Sequence, residues 1–218
     1  MSTEQSPSRS HLPVPSGGRS GPIAFDAREP DAASPKIEPL RPPPGAPNVL
    51  IVLLDDAGFG APSAFGGPCQ TPSAEKLAAS GLKYIRFHTT AICAPTRQAL
   101  LTGRNHHSCG MGNLTELANG SPGYCSVLPN DIAPLALTLK LNGYATAQFG
   151  KCHEVPVWQT SPAGPFDQWP SGGGGFEYFY GFLGGETNQW YPTLYEGTTP
   201  VRSLRTPEEG YHLMEDMT

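Results

Sequence analysis

The sequence predicts an α/β fold, a mostly parallel sheet flanked by helices, and three stretches carry that expectation. Residues 48–54, NVLIVLL, are an unbroken aliphatic run, the pattern of a strand buried on both faces of a parallel sheet. Residues 71–81 read as a helix, and 82–88 follow with strand character. Residues 131–143 repeat the helical pattern, and 144–149 are a short strand. Strands that alternate with helices imply βαβ units, whose crossovers make neighbouring strands parallel.

Before this pattern begins, residues 1–47 hold 11 of the 25 prolines, many serines and few large apolar residues. They read as an extended tail, or a strap over the surface, with the stiff end Pro42-Pro43-Pro44. The folded domain is expected over 48–218. A chain of 218 residues suffices for one domain with a core. A net charge of -5 with 15% charged residues argues against a nucleic-acid partner, for which no basic stripe is present. No run is long enough to cross a bilayer, so no membrane partner is expected. Met1–Ser10 lacks the apolar core of a secretory signal, so a cytoplasmic location is the expectation. Five cysteines without CxxC or zinc spacing argue against a disulfide framework.

The first expected strand ends at Asp55-Asp56. Adjacent carboxylates at a strand end repel each other, and their pKa values rise unless a cation or a basic cluster compensates them. The carboxyl edge of such a sheet is also where ligands bind. In the helix that follows, Thr71 is an expected N-cap and Gly81 the stop.

Cys93-Ala-Pro95-Thr-Arg97 then opens a short apolar run that closes on Thr102-Gly103-Arg104. Pro95 is expected at the first helical position, which places Cys93 just before the helix, and Gly103 is expected to end it. Arg97 lies four residues after Cys93 and shares its helical face. A reactive sulfur, free N–H groups and a guanidinium then converge in a pocket suited to an anion. His106 and His107 sit on a loop without further ligands at metal spacing, and belong to loop structure or a pocket rim. The run 113–129 suggests no chemistry.

The strand at 144–149 delivers Gly150-Lys151-Cys152-His153-Glu154. Lys151 and His153 are two apart, so in an extended segment both point the same way. Residues 176–192, rich in aromatics and glycine, read as a shaped loop, and the last residues as the opening of a helix.

Taken together, the Cys93-x-Pro95-x-Arg97…Thr102-Gly103-Arg104 string, Asp55-Asp56 and Gly150-Lys151-x-His153 resemble the signature of the sulfatase family, over most of the chain from Pro47 on. The resemblance implies an alkaline-phosphatase-like α/β fold. It implies that 48–218 are the N-terminal part of a sulfatase catalytic domain, incomplete at the C-terminus. It implies hydrolysis of sulfate esters, aryl sulfates foremost, with Cys93 converted to formylglycine by a maturation enzyme. Asp55, Asp56 and residue 93 would hold a divalent cation, calcium first and magnesium second. Arg97, Lys151 and His153 would hold the diol and the sulfate oxygens. The family's usual Trp between the lysine and the histidine is Cys152 here. Two alternatives stand: a phosphonate or phosphate-ester hydrolase of the same superfamily, and a non-catalytic fragment.

Overall fold

The computed structural model describes Arg28 and residues 39–218. Apart from Arg28 and its last nine residues, the 1–47 tail lies outside the described residues. At its end the Ala46 N–H donates to the Pro43 carbonyl at 3.0 Å. The Arg41 backbone lies so close to Gly143 that a Cβ there would come within 2.6 Å of it.

The sheet has four strands in the order β1-β2-β3-β4: β1 Ala147–Lys151, β2 Tyr178–Phe182, β3 Leu194–Glu196 and β4 Thr199–Val201. β1 and β2 run parallel, with Ala147 opposite Tyr178 and Lys151 opposite Phe182. The pairs β2–β3 and β3–β4 are antiparallel. The described sheet is therefore mixed rather than mostly parallel. Strand β1 starts three residues later than expected and reaches Lys151. Part of the expected loop at 176–192 forms β2, because Phe179, Phe182 and Leu183 bury against the core.

That core lies on both sides of β2. Cys152, Val155, Trp169, Phe179 and Leu183 form one cluster, joined by Phe166 and Tyr195. The Trp169 ring meets the edges of Phe166 and Tyr195, both at 5.2 Å between centroids. Its indole N–H donates to the Gln159 carbonyl at 2.5 Å, so the one polar atom of the ring is satisfied in the interior. Phe182, Leu194 and Leu213 form a second cluster. Leu213 comes from the terminal helix, Leu213–Met217. Each large side chain buried this way contributes about 1.5–3 kcal/mol.

Four α-helices are described: α1 Pro72–Ser80, α2 Cys93–Thr102, α3 Leu135–Lys140 and α4 Leu213–Met217. α1 has the expected bounds. Thr71 makes no side-chain cap, however, and Gly81 is extended at φ -134° rather than left-handed. α3 is shorter than expected at both ends: residues 131–134 and 141–143 stay outside it, and it closes at Leu141 rather than Gly143. None of the described helices is long and apolar enough to cross a membrane.

The largest departure concerns the two aliphatic runs. Residues 48–54 and 82–88 form no strand, and all of them are exposed; Leu50 is 87% and Val52 73% accessible. A hydrophobic run becomes a sheet strand only where a neighbouring strand supplies its backbone partners. Among the described residues nothing pairs with either run.

Candidate active site

The site is built from three pieces of chain: the turn at Asp55-Asp56, the first turns of α2, and the end of β1. Asp56 has a left-handed backbone, φ +53°, a conformation that Asp tolerates better than most residues. It turns the chain so that Asp55 and Asp56 bring one carboxylate oxygen each, and Cys93 its sulfur, within 4.8 Å of one another.

Helix α2 begins at Cys93 itself, two residues earlier than Pro95 suggests, with Ile92 at the N-cap in extended geometry. Pro95 is the third helical residue, a position whose N–H lacks an intrahelical partner anyway. Gly103 closes the helix with φ +65°, and its N–H donates to the Ala99 carbonyl. This is the left-handed stop that glycine reaches without a Cβ clash.

One helical turn after Cys93 the Arg97 side chain is buried, at 8% exposure. Its Nη1 donates to the Lys151 carbonyl at 2.8 Å and its Nη2 to Asp55 Oδ1 at 3.1 Å. Lys151 Nζ donates to the other Asp55 oxygen at 2.6 Å. Two cations thus hold one carboxylate from both sides. Burial raises the pKa of Asp55, but the hydrogen bonds and charges of Lys151 and Arg97 outweigh it and hold the group below its ordinary range. This reverses the expected rise for Asp55, because basic groups compensate it.

His153 does not extend in register with Lys151. Its backbone is left-handed, φ +58°, fixed by its N–H donating to the Leu183 carbonyl at 3.1 Å. Lys151 reaches Asp55, whereas the His153 Nε2 lies 2.9 Å from Glu116 Oε2. Glu116 lies in a 3₁₀ turn, Thr115–Leu117, within the stretch that suggested no chemistry in sequence. Its role depends on a contact 37 residues away.

A further carboxyl group lies within electrostatic reach of Arg97. Glu154 is buried, and burial pushes its pKa up to about 7 against the opposing influence of Arg97, Cys152 and Gln148. The Cys152 Sγ donates to Glu154 Oε2 at 3.4 Å, and burial pushes the Cys152 thiol well up too. The thiol that replaces the family's Trp is an inert core group. His106 and His107 stay in the loop, with His107 Nε2 3.1 Å from the Tyr124 hydroxyl. They join no metal-ligating group among the described residues.

The donor set fits a divalent cation. Asp55 and Asp56 are hard oxygen donors, and a carboxylate has about four lone-pair sites, so the bonds from Arg97 and Lys151 leave Asp55 room for a further ligand. A thiol at residue 93 matches such an ion poorly; an oxygen there would match it well.

A carboxylate turn, a helix start and a strand end thus bring Asp55, Asp56, Cys93, Arg97 and Lys151 together in one place. The model of the Sulfatase family matches residues 47–218, and the chain belongs to that family. An uncharacterized sulfatase of Schizosaccharomyces pombe is 35% identical over 161 residues, which are 68% of this chain and 29% of that protein. An arylsulfatase of Klebsiella aerogenes is 31% identical, covering 70% of this chain and 31% of its own length. The chain thus spans under a third of the length of these relatives. The solved structure of Ps i-CgsB superposes with a TM-score of 0.52 at 23% identity, over 70% of this chain and 36% of that one. It supports the α/β fold.

Proposed function

We propose that this chain carries the nucleophile-bearing part of a formylglycine-dependent sulfatase that hydrolyses sulfate esters, aryl sulfates foremost. The observation that carries the reading is the convergence of Cys93, Asp55 and Asp56 within 4.8 Å, with Arg97 and Lys151 meeting on Asp55. Arylsulfatases from Klebsiella aerogenes and Bos taurus among the relatives support the aryl preference.

Asp55, Asp56 and residue 93 would hold the cation, calcium in first place and magnesium in second, because hard oxygen donors favour both. Such a cation supplies positive charge that eases loss of a proton from a hydroxyl on residue 93. As a hydrated aldehyde, residue 93 would supply one oxygen that bonds to sulfur as the S–O bond to the alcohol or phenol breaks, and a second whose deprotonation would re-form the aldehyde C=O as the C–O bond to sulfate breaks. The protein's own contribution is pre-organisation. The Arg97 fork is fixed by the Lys151 carbonyl and Asp55, so it meets developing negative charge without first having to be ordered. Lys151 keeps two further N–H donors for sulfate oxygens. His153, two residues beyond Lys151, would meet the diol or the sulfate oxygens, as the family resemblance implies.

Three supports favour further chain beyond the residues described: the short span relative to the family members, the exposed 48–54 run, and a cation shell with only three of its ligands. A maturation enzyme that makes formylglycine is the implied partner.

The test is peptide mass spectrometry of residue 93 after co-expression with that enzyme, followed by assays of 4-nitrophenyl sulfate and 4-nitrophenyl phosphate on the full-length protein. An aldehyde at residue 93 with faster sulfate turnover supports the proposal. Faster phosphate turnover would move the assignment to a phosphate or phosphonate ester hydrolase. Full activity with an unmodified thiol would overturn the formylglycine mechanism.

A further inference from the structure

His153 is held in a way that packing alone does not require. The side chain is 2% exposed on a left-handed backbone, a conformation that is strained for a non-glycine residue. Its ring lies against Gly185, where a Cβ would come within 2.7 Å of Cε1, so only glycine admits the ring at this place. Nε2 lies 2.9 Å from Glu116 Oε2 and 3.2 Å from Oε1. Nδ1 is buried and has no hydrogen-bond partner among the described residues.

The chemistry of the pair follows from its partners. An ionised carboxylate only accepts hydrogen bonds, so the nitrogen facing it must carry the proton. Glu116 is ionised at neutral pH. Burial opposes this, but His153, the residue's own backbone N–H and the Thr115 hydroxyl hold its pKa below the ordinary value. The Thr115 hydroxyl donates to Oε2 at 3.2 Å and steadies the carboxylate. With the proton placed on Nε2, the atom left to act is Nδ1. A buried polar atom without a partner is destabilising, and a group that bonds to it removes that cost.

We infer that Glu116 is the positioning residue for His153: it fixes the Nε2–H tautomer and leaves Nδ1 as the unprotonated nitrogen. That this tautomer matters for turnover rests on the sulfatase reading above; the positioning itself does not.

The experiment separates the two. The full-length protein is labelled with 15N-histidine, the His153 signal is assigned by its loss in His153→Gln, and the protonated nitrogen is read from long-range 15N–1H couplings. Wild type carries the proton on Nε2. Glu116→Ala releases the ring to a mixture of tautomers and lowers kcat for 4-nitrophenyl sulfate by about 10- to 100-fold with little change in KM. Glu116→Gln, whose amide oxygen still accepts from Nε2–H, keeps the tautomer and recovers part of the rate. Because Glu116 is 46% exposed, neither change removes core packing. An Nδ1–H tautomer in wild type, or an unchanged tautomer in Glu116→Ala, overturns the inference even if sulfate esters are hydrolysed. If the tautomer shifts as expected but no sulfate ester is turned over by wild type, the positioning role stands and the sulfatase reading fails.

Discussion

Arg97 donates Nη1–H to the backbone carbonyl of Lys151 at 2.8 Å, so one guanidinium ties the first turns of α2 to the end of β1. The same side chain holds Asp55 through Nη2. Arg97→Lys keeps the charge but has no fork to span both acceptors. A lysine ammonium that stays on Asp55 leaves the Lys151 carbonyl without this donor. The expected cost is about 1–3 kcal/mol of stability, together with loss of at least 100-fold in kcat, since oxyanion donors are worth about that much. Urea unfolding and steady-state kinetics read the two effects separately.

Asp55 and Asp56 should respond differently to loss of charge. Asp56 is left-handed, φ +53°, and asparagine tolerates that backbone well. Asp56→Asn is expected to weaken calcium binding while leaving the metal-free melting temperature within a degree or two of wild type, as judged by titration calorimetry and thermal scans in chelator. Asp55→Asn also leaves Lys151 and Arg97 without their shared carboxylate, so metal affinity and metal-free stability fall together. The stabilisation from Asp55 belongs to a carboxylate with a lowered folded pKa. It is present above the ordinary unfolded value and disappears as pH falls through the folded one. Equal behaviour of the two variants would refute this division.

Glu154 titrates in the opposite sense. Burial lifts it from 4.5 to about 7, so between those values the folded state binds more protons than the unfolded chain, and stability falls as pH rises. At about 1.4 kcal/mol per pH unit, ionising this buried group costs on the order of 3 kcal/mol. Glu154→Gln should flatten the stability profile between pH 4.5 and 7, measured by urea midpoints at constant ionic strength. A variant profile parallel to that of wild type would show that Glu154 is not the group responsible.

More of the candidate site than of the fold was legible in the sequence. Asp55 and Asp56 are adjacent in sequence, Cys93 and Arg97 are one helical turn apart, and their types carry the chemistry, so local spacing marks each pair, though not the contact of Arg97 with Asp55 42 residues away. Lys151 was legible as the cation at a strand end. His153 was legible as a residue, but its direction was not, because its left-handed backbone depends on pairing with Leu183. Glu116 acts through a contact that no local pattern encodes. The helix periods held for α1 and α2. The strand at 48–54 did not, since hydrophobicity marks a segment that can be buried and cannot supply the strand that buries it.

That exposed run leads to the last prediction: residues 1–218 on their own do not hydrolyse sulfate esters, and they self-associate. Calcium takes about six to eight oxygen ligands, and the cluster on this chain offers Asp55, Asp56 and residue 93. A cation held by three groups exchanges readily with water and gives the reacting oxygen a weakly fixed charge. Meanwhile Leu50 and Val52 stand largely in solvent, within a six-residue aliphatic stretch, 49–54, free of charge and proline. A β-prone segment with unpaired backbone groups is a template for pairing with another copy. Light scattering of the 218-residue chain should show oligomers that grow with concentration, and Leu50→Lys with Val52→Lys should reduce them. An assay of the same chain, with residue 93 converted and calcium present, should show no turnover of 4-nitrophenyl sulfate above background. A monodisperse monomer with turnover near that of the full-length protein would show that the exposed run needs no cover and that three ligands suffice.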